Sequence, residues 1–193
     1  MDKPATTAQP IHPLLAGRWS PRVFDGDQTL DSATWQGLLE AAIWSPSCNN
    51  EQPWRFAVGV RGDDEALASR WQAIYDALAA GNQRWCIHAA AFVVTLATRS
   101  FAANGHANPW AWHDVGMAGM ALALEAHSRG LGSHPMAGWD SDKLRAGLGV
   151  ADDLDIVTVW AIGFPGALDG LDDATLGREH APRVRKPVAD VRV

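Results

Sequence analysis

The chain has 193 residues, 47% of them hydrophobic and 20% charged, with a formal net charge of −6. That length can bury one full core, and the acidic balance excludes general nucleic-acid binding, which needs a basic footprint. No apolar run approaches the ~20 residues of a membrane span, and Met1-Asp2-Lys3-Pro4 lacks a signal-peptide core. Cys48 and Cys86 make neither a disulfide framework nor a metal-ligand spacing. A single cytoplasmic domain over 1–193, with no membrane or metal partner, is therefore expected.

Residues 1–13 are polar and carry three prolines, which reads as a loose leader. Arg18-Trp19-Ser20-Pro21-Arg22-Val23-Phe24 follows. Pro21 biases Ser20 to an extended conformation, and alternate residues of an extended chain share a side. Arg18, Ser20 and Arg22 can therefore converge as an anion clamp, since guanidinium forks match phosphate oxygens. Solvated surface arginines are the alternative.

Asp31 and Ser32 cap a helix whose apolar positions include Leu38, Leu39, Ala42 and Ile43, and Ser45-Pro46 stops it. Trp54 to Val60 alternates as a strand. Between helix and strand lie Ser45, Ser47, Asn49, Asn50 and Gln52, hydroxyl and amide groups held between Pro46 and Pro53. They suit the edge of a flat heteroaromatic ligand, or merely close a capped loop.

Asp63-Asp64 caps a second helix with the stripe Leu67, Trp71, Ile74 and Leu78, ended by Gly81 and followed by Asn82. Ala91 to Ala97 reads as a buried strand. Residues 99–113 form a loop, and Pro109 marks the start of a long helix to about Arg129, closed by Gly130. This helix is apolar almost all round, which predicts burial, in one core or against a partner subunit. Residues 131–139 read as a turn-rich loop, Asp140 or Ser141 caps a short helix to Leu148, and 155–163 is a strand. The tail from Arg178 is locally basic, and Arg183 and Arg185 stand two apart, able to face one anion. There is no Gly-x-Gly-x-x-Gly, Walker-type or Gly-x-Ser-x-Gly motif, no metal-type histidine pair, and no partner to activate Cys48. Asp114, near the start of the long helix, complements its dipole.

Three separated pieces together resemble the FMN-dependent nitroreductases in their short form. They are Arg18-x-Ser20-x-Arg22-x-Phe24, Pro46-Ser47-x-x-Asn50-x-Gln52-Pro53-Trp54, and Arg183-x-Arg185, with Asn82 and the turn before Pro135-Met136-Ala137-Gly138 in support. The match spans about 14–188. The resemblance implies an α+β fold: a three-layer α-β-α sandwich with a mostly antiparallel sheet, assembled as an intertwined homodimer. Two FMN sites would lie between subunits, and the tail 178–193 would cross to the partner.

It further implies that Arg18, Ser20, Arg22, Arg183 and Arg185 hold the FMN phosphate and ribityl chain, with Trp19 in the same segment. Arg22 would also lie near the pyrimidine edge. Ser47, Asn50, Gln52 and Asn82 would hydrogen-bond the ring, with Pro46 and Cys48 packed nearby, and Met136, Ala137 and Gly138 would cover one face. NAD(P)H would reduce the flavin and a flat acceptor, nitroaromatic or quinone, would reoxidise it in a ping-pong cycle, with no catalytic side chain demanded. Alternatives are enone or aldehyde reduction or dehalogenation on the same fold, flavin binding without turnover, and a helical interaction module without cofactor. Two features depart from the family pattern: Trp85 stands where many relatives carry lysine, and the lid segment 99–113 is short.

Overall fold

The computed structural model describes residues 3–168 and 171–193; Met1 and Asp2 of the leader lie outside them. The elements are α1 (Pro13–Gly17), α2 (Ser32–Ile43), β1 (Trp54–Val60), α3 (Glu65–Ala77), α4 (Ala80–Cys86), β2 (Ala91–Thr98), α5 (Ala111–Ser128), β3 (Gly132–Met136), α6 (Ser141–Leu148), β4 (Leu154–Gly163) and α7 (Asp173–His180). One antiparallel sheet runs in the order β1-β2-β4-β3.

Central strand β2 shows why there are three layers. Ala91, Val93 and Ala97 belong to one core with Leu38 and Ala42 of α2 and Val115, Ala118 and Leu122 of α5. Phe92, Val94 and Leu96 belong to a second core with Trp71 and Ile74 of α3, Trp85 of α4 and Leu144 of α6. Alternate side chains leave opposite faces of a strand, so one apolar run feeds both cores. The expected α-β-α sandwich is the architecture observed.

The capped helices lie where their caps put them: the Asp31 side chain accepts from the Thr34 N–H, and the Asp64 side chain from those of Ala66 and Leu67. Three segments differ from expectation. Residues 132–136 form an edge strand, β3, rather than a loop; an edge tolerates Pro135 because only one side of the strand must pair. The helix expected to run to Gly81 stops at Ala77, because Leu78 pairs with Trp139 across a β-bridge and the Asp140 N–H takes the Ala77 carbonyl at 2.7 Å. The chain then restarts as α4, so Asn82 sits inside a helix. The tail also contains α7, and the leader is held rather than loose: Lys3 Nζ donates to the Ala181 carbonyl at 2.7 Å and the Ala5 N–H to Ala16 at 2.8 Å.

Helix α5 is buried on one side only. Val115, Ala118, Leu122 and Ala126 face the core, while Trp112 and Met120 stay exposed and nothing lies within contact of Gly116 on its outer side. Its apolar circumference exceeds what one chain can cover.

Gly59 of β1 marks the closest approach of sheet and helix. A Cβ there would sit 2.5 Å from the Trp71 Cα and 2.7 Å from the Arg70 carbonyl carbon, both backbone atoms of α3. Gly59→Ala is expected to destabilise the fold by about 3 kcal/mol, read as a lower urea midpoint at unchanged slope.

Candidate functional site

The sequence places arginines near both ends of the chain, and the fold carries them to one place. Arg18, Ser20 and Arg22, on the extended segment after α1, line an open cleft of about 460 Å³ with Arg183 and Arg185 from the tail. Trp19 and three residues not assigned there from sequence, Lys3, His134 and Arg178, line it too. Six of these side chains are cationic. Burial and the neighbouring Arg183 and Arg185 charges hold the Arg18 guanidinium below its ordinary range. The group is thus a set of like charges that an anion would relieve.

The cleft is built by reciprocal ties between the termini. Lys3 Nζ lies over the Trp19 ring, 4.6 Å from its centroid, and donates to the Glu179 and Ala181 carbonyls. Arg183 donates in return to the Lys3 and Ala16 carbonyls. Arg183 therefore acts first as a strut. Among the described residues, the Arg18 side chain has only a 3.5 Å contact from Nη1 to Ser20 Oγ, and that of Arg185 donates only to the Val184 carbonyl. Glu179 is the counter-charge: it is 1% exposed, accepts the Arg22 N–H at 3.1 Å and lies 3.9 Å from that residue's guanidinium. Burial raises its pKa, opposed by the Arg22 N–H and the Arg22 and Lys3 charges. These partners lie 157 to 180 positions apart, so local pattern carried no signal for them.

His134 closes the inner wall, its ring 4.4 Å from that of Trp85. Its Nδ1 meets the Pro21 carbonyl at 2.9 Å. A carbonyl only accepts, so Nδ1 carries the proton. Burial, with smaller help from Arg22 and Arg18, pushes its pKa down to about 4 against the Pro21 hydrogen bond, leaving the ring neutral at pH 7.

Further along β3, Met136 is buried, Ala137 is exposed, and the Gly138 carbonyl accepts from Asn82 Nδ2 at 3.1 Å and from the Ala79 N–H at 3.0 Å. Asn82 and Gly138 thus meet, with the Asn82 amide donating to the loop.

The polar turn is a second centre. Asn49, Asn50 and Gln52 all have left-handed backbones, with φ of 54°, 54° and 52°. Such conformations persist where surroundings over-determine them. Ser47 Oγ accepts the Gln52 N–H at 3.0 Å, the Ser47 carbonyl accepts the Asn50 N–H at 3.0 Å, and Asp114 Oδ2 accepts the Cys48 N–H at 3.0 Å. Pro46, Asn50 and Gln52 remain exposed, and Ser47 and Cys48 half-buried. The segment 99–110 is a short hairpin fastened here, the Ala102 N–H donating to Glu51 at 2.7 Å.

One chain does not join the two centres. Asp114 holds the turn at the start of α5, whereas His127 near its end packs on Gly17 and lines a pocket with Arg18. At about 1.5 Å per residue, α5 separates the two contacts by about 20 Å.

The profile of the nitroreductase family matches residues 15–164. The chain belongs to the nitroreductase family. A curated relative, the NADH dehydrogenase of Thermus thermophilus, is 32% identical, with 66% of this chain and 74% of the relative aligned. The solved structure of an oxidoreductase containing FMN superposes with a TM-score of 0.88 at 30% identity, covering 97% of this chain and 93% of its own. An FMN- and NADPH-dependent nitroreductase of a Sphingopyxis strain shares the fold, with a TM-score of 0.71 at 21% identity over 93% of this chain and 96% of its own.

The buried neutral His134 gives this nitroreductase-family chain a pH signature. Its folded pKa of about 4 lies below the ordinary 6.5, so the unfolded chain takes up the proton first. The stability it contributes is complete above about pH 6.5 and is lost as pH falls toward 4. Thermal unfolding followed across that window should show a flatter pH dependence in His134→Gln than in the parent.

Proposed function

We propose that this chain is an NAD(P)H-dependent FMN oxidoreductase, active as a homodimer on flat electron-poor acceptors such as nitroaromatics and quinones. The observation that carries the reading is the cationic cleft. An acidic protein has drawn arginines from both ends of its chain around one opening, and the donor set fits a phosphate monoester. Arg18, Ser20, Arg22 and Arg185 would hold the phosphate, with Arg183 bracing the wall behind them. When bound, FMN supplies the hydride relay between nicotinamide and acceptor. The protein's part is to bind, orient and shield.

The approximately 20 Å of α5 between cleft and polar turn supports assembly from two copies. The exposed α5 face with Trp112, Gly116 and Met120 is a surface a second copy can cover. In that arrangement Ser47, Asn50 and Gln52 of one subunit would read the ring edge, while the arginines, Asn82 and the segment 136–138 of the other hold the remainder. The exposed tail valines, Val188 and Val191 among them, would pack on the partner. NADH and NADPH are both compatible with this arrangement.

Two experiments test it. Purified protein should bind FMN more tightly than riboflavin, and Arg22→Ala with Arg185→Ala should weaken FMN by roughly a hundredfold, for lost charge-assisted bonds, while leaving riboflavin unchanged. Equal retention of FMN would overturn the phosphate assignment. Met120→Asp on the outer face of α5 should shift sedimentation from dimer to monomer and lower FMN stoichiometry together; a monomeric parent that binds FMN fully would overturn the shared site.

A further inference from the structure

We infer that Asp114 is the positioning residue that locks the polar turn 47–52 in its ligand-reading shape, tying that turn to α5. The inference rests on the proposed FMN site but concerns a residue outside its donor set. Asp114 is 2% exposed, and both of its carboxylate oxygens are engaged: Oδ2 by the Cys48 N–H at 3.0 Å, Oδ1 by His113 Nδ1 at 3.1 Å. It lies in the first turn of α5, where the helix dipole favours a negative charge.

The turn needs such an anchor. Three of its four residues from Asn49 to Gln52 hold left-handed backbones without being glycine, a conformation that costs each of them free energy. Ser47 supplies two internal ties, but both lie within the loop and would move with it. The Glu51 carboxylate reaches the Ala102 N–H, yet that partner belongs to another surface loop. Among the described residues, the Cys48–Asp114 bond is the hydrogen bond from 47–50 to a regular element of the core.

The placement also links assembly to ligand reading. His113, beside Asp114, and Trp112 and Met120 are exposed on the uncovered side of α5, while Asp114 itself points inward to the turn. A second copy seated on that face fixes the helix that carries the anchor.

The test compares Asp114→Ala with Asp114→Asn, whose side-chain oxygen can still accept the Cys48 N–H. In the FMN-free protein, hydrogen exchange at the Cys48 amide should accelerate in Asp114→Ala and stay near the parent rate in Asp114→Asn. FMN affinity should fall about tenfold in the first and stay close to the parent in the second, with the visible band of bound flavin shifted only in Asp114→Ala. Adding Asn49→Gly to Asp114→Ala should recover part of the affinity, since glycine adopts the left-handed backbone freely. Should Asp114→Ala fail to fold, Asp114→Ser keeps a polar group in the first helical turn but is too short to reach the amide. Parent-like exchange and affinity in the folded short variant would overturn the inference, as would an Asp114→Asn that behaves like it. A parent protein that takes up no FMN would instead overturn the cofactor reading, while the exchange result still judges Asp114.

Discussion

Electrostatic repulsion among Lys3, Arg18, Arg22, Arg178, Arg183 and Arg185 is the constraint that the site must satisfy. Like charges at close range oppose folding; the Arg18 pKa is lowered first by burial and then by the neighbouring Arg183 and Arg185 charges. Hydrogen bonds between the termini hold them together. Lys3 and Arg183 each spend donors on backbone carbonyls of the opposite terminus, and buried Glu179 takes the Arg22 N–H. The termini are knotted to each other by the residues that create the field. Remove the knot and the cations disperse.

Helix α5 imposes the second constraint. Its 18 residues run the depth of the molecule, with the left-handed turn fastened near one end and the cleft near the other. A rigid rod cannot bring its own ends together. The exposed apolar side of the same helix offers a resolution in the proposed dimer, where a second copy packed there would supply the half that each chain lacks nearby.

Local chemistry was legible in the sequence where it is carried by neighbours. The Asp31 and Asp64 caps, the alternation of β1, the continuous apolar run of β2 and the Gly130 closure of α5 each put an element in place. Reading failed where partners were distant. Edge strand β3 contains Gly132 and Pro135, which locally argue for a loop, and becomes a strand only because β4 pairs with it. The break between α3 and α4 depends on Trp139 capturing Leu78. At the site, the convergence of Arg18, Ser20, Arg22, Arg183 and Arg185 followed from spacing and family pattern. Lys3, His134 and Glu179 have no such pattern; the first and last contact residues more than 150 positions away, and the neutrality of His134 is set by burial. Asp114 stands in the first turn of α5, where its sequence position already marks it as acidic, but its acceptance of the Cys48 N–H depends on a residue 66 positions away.

Both centres of the site show one physical logic. The cleft holds like charges together, and the turn holds three non-glycine residues in left-handed backbone; each arrangement costs free energy while nothing is bound. A ligand that binds the folded state alone stabilises it, by about 2.7 kcal/mol at a hundred times its dissociation constant. Under the proposed cofactor reading, binding across the cleft and the turn would offset these costs, so that ligand capture would add to what folding alone supplies. The anchors are the protein's own: Glu179 and Asp114, 1% and 2% exposed, accept the Arg22 and Cys48 backbone N–H groups and hold segment and turn in place.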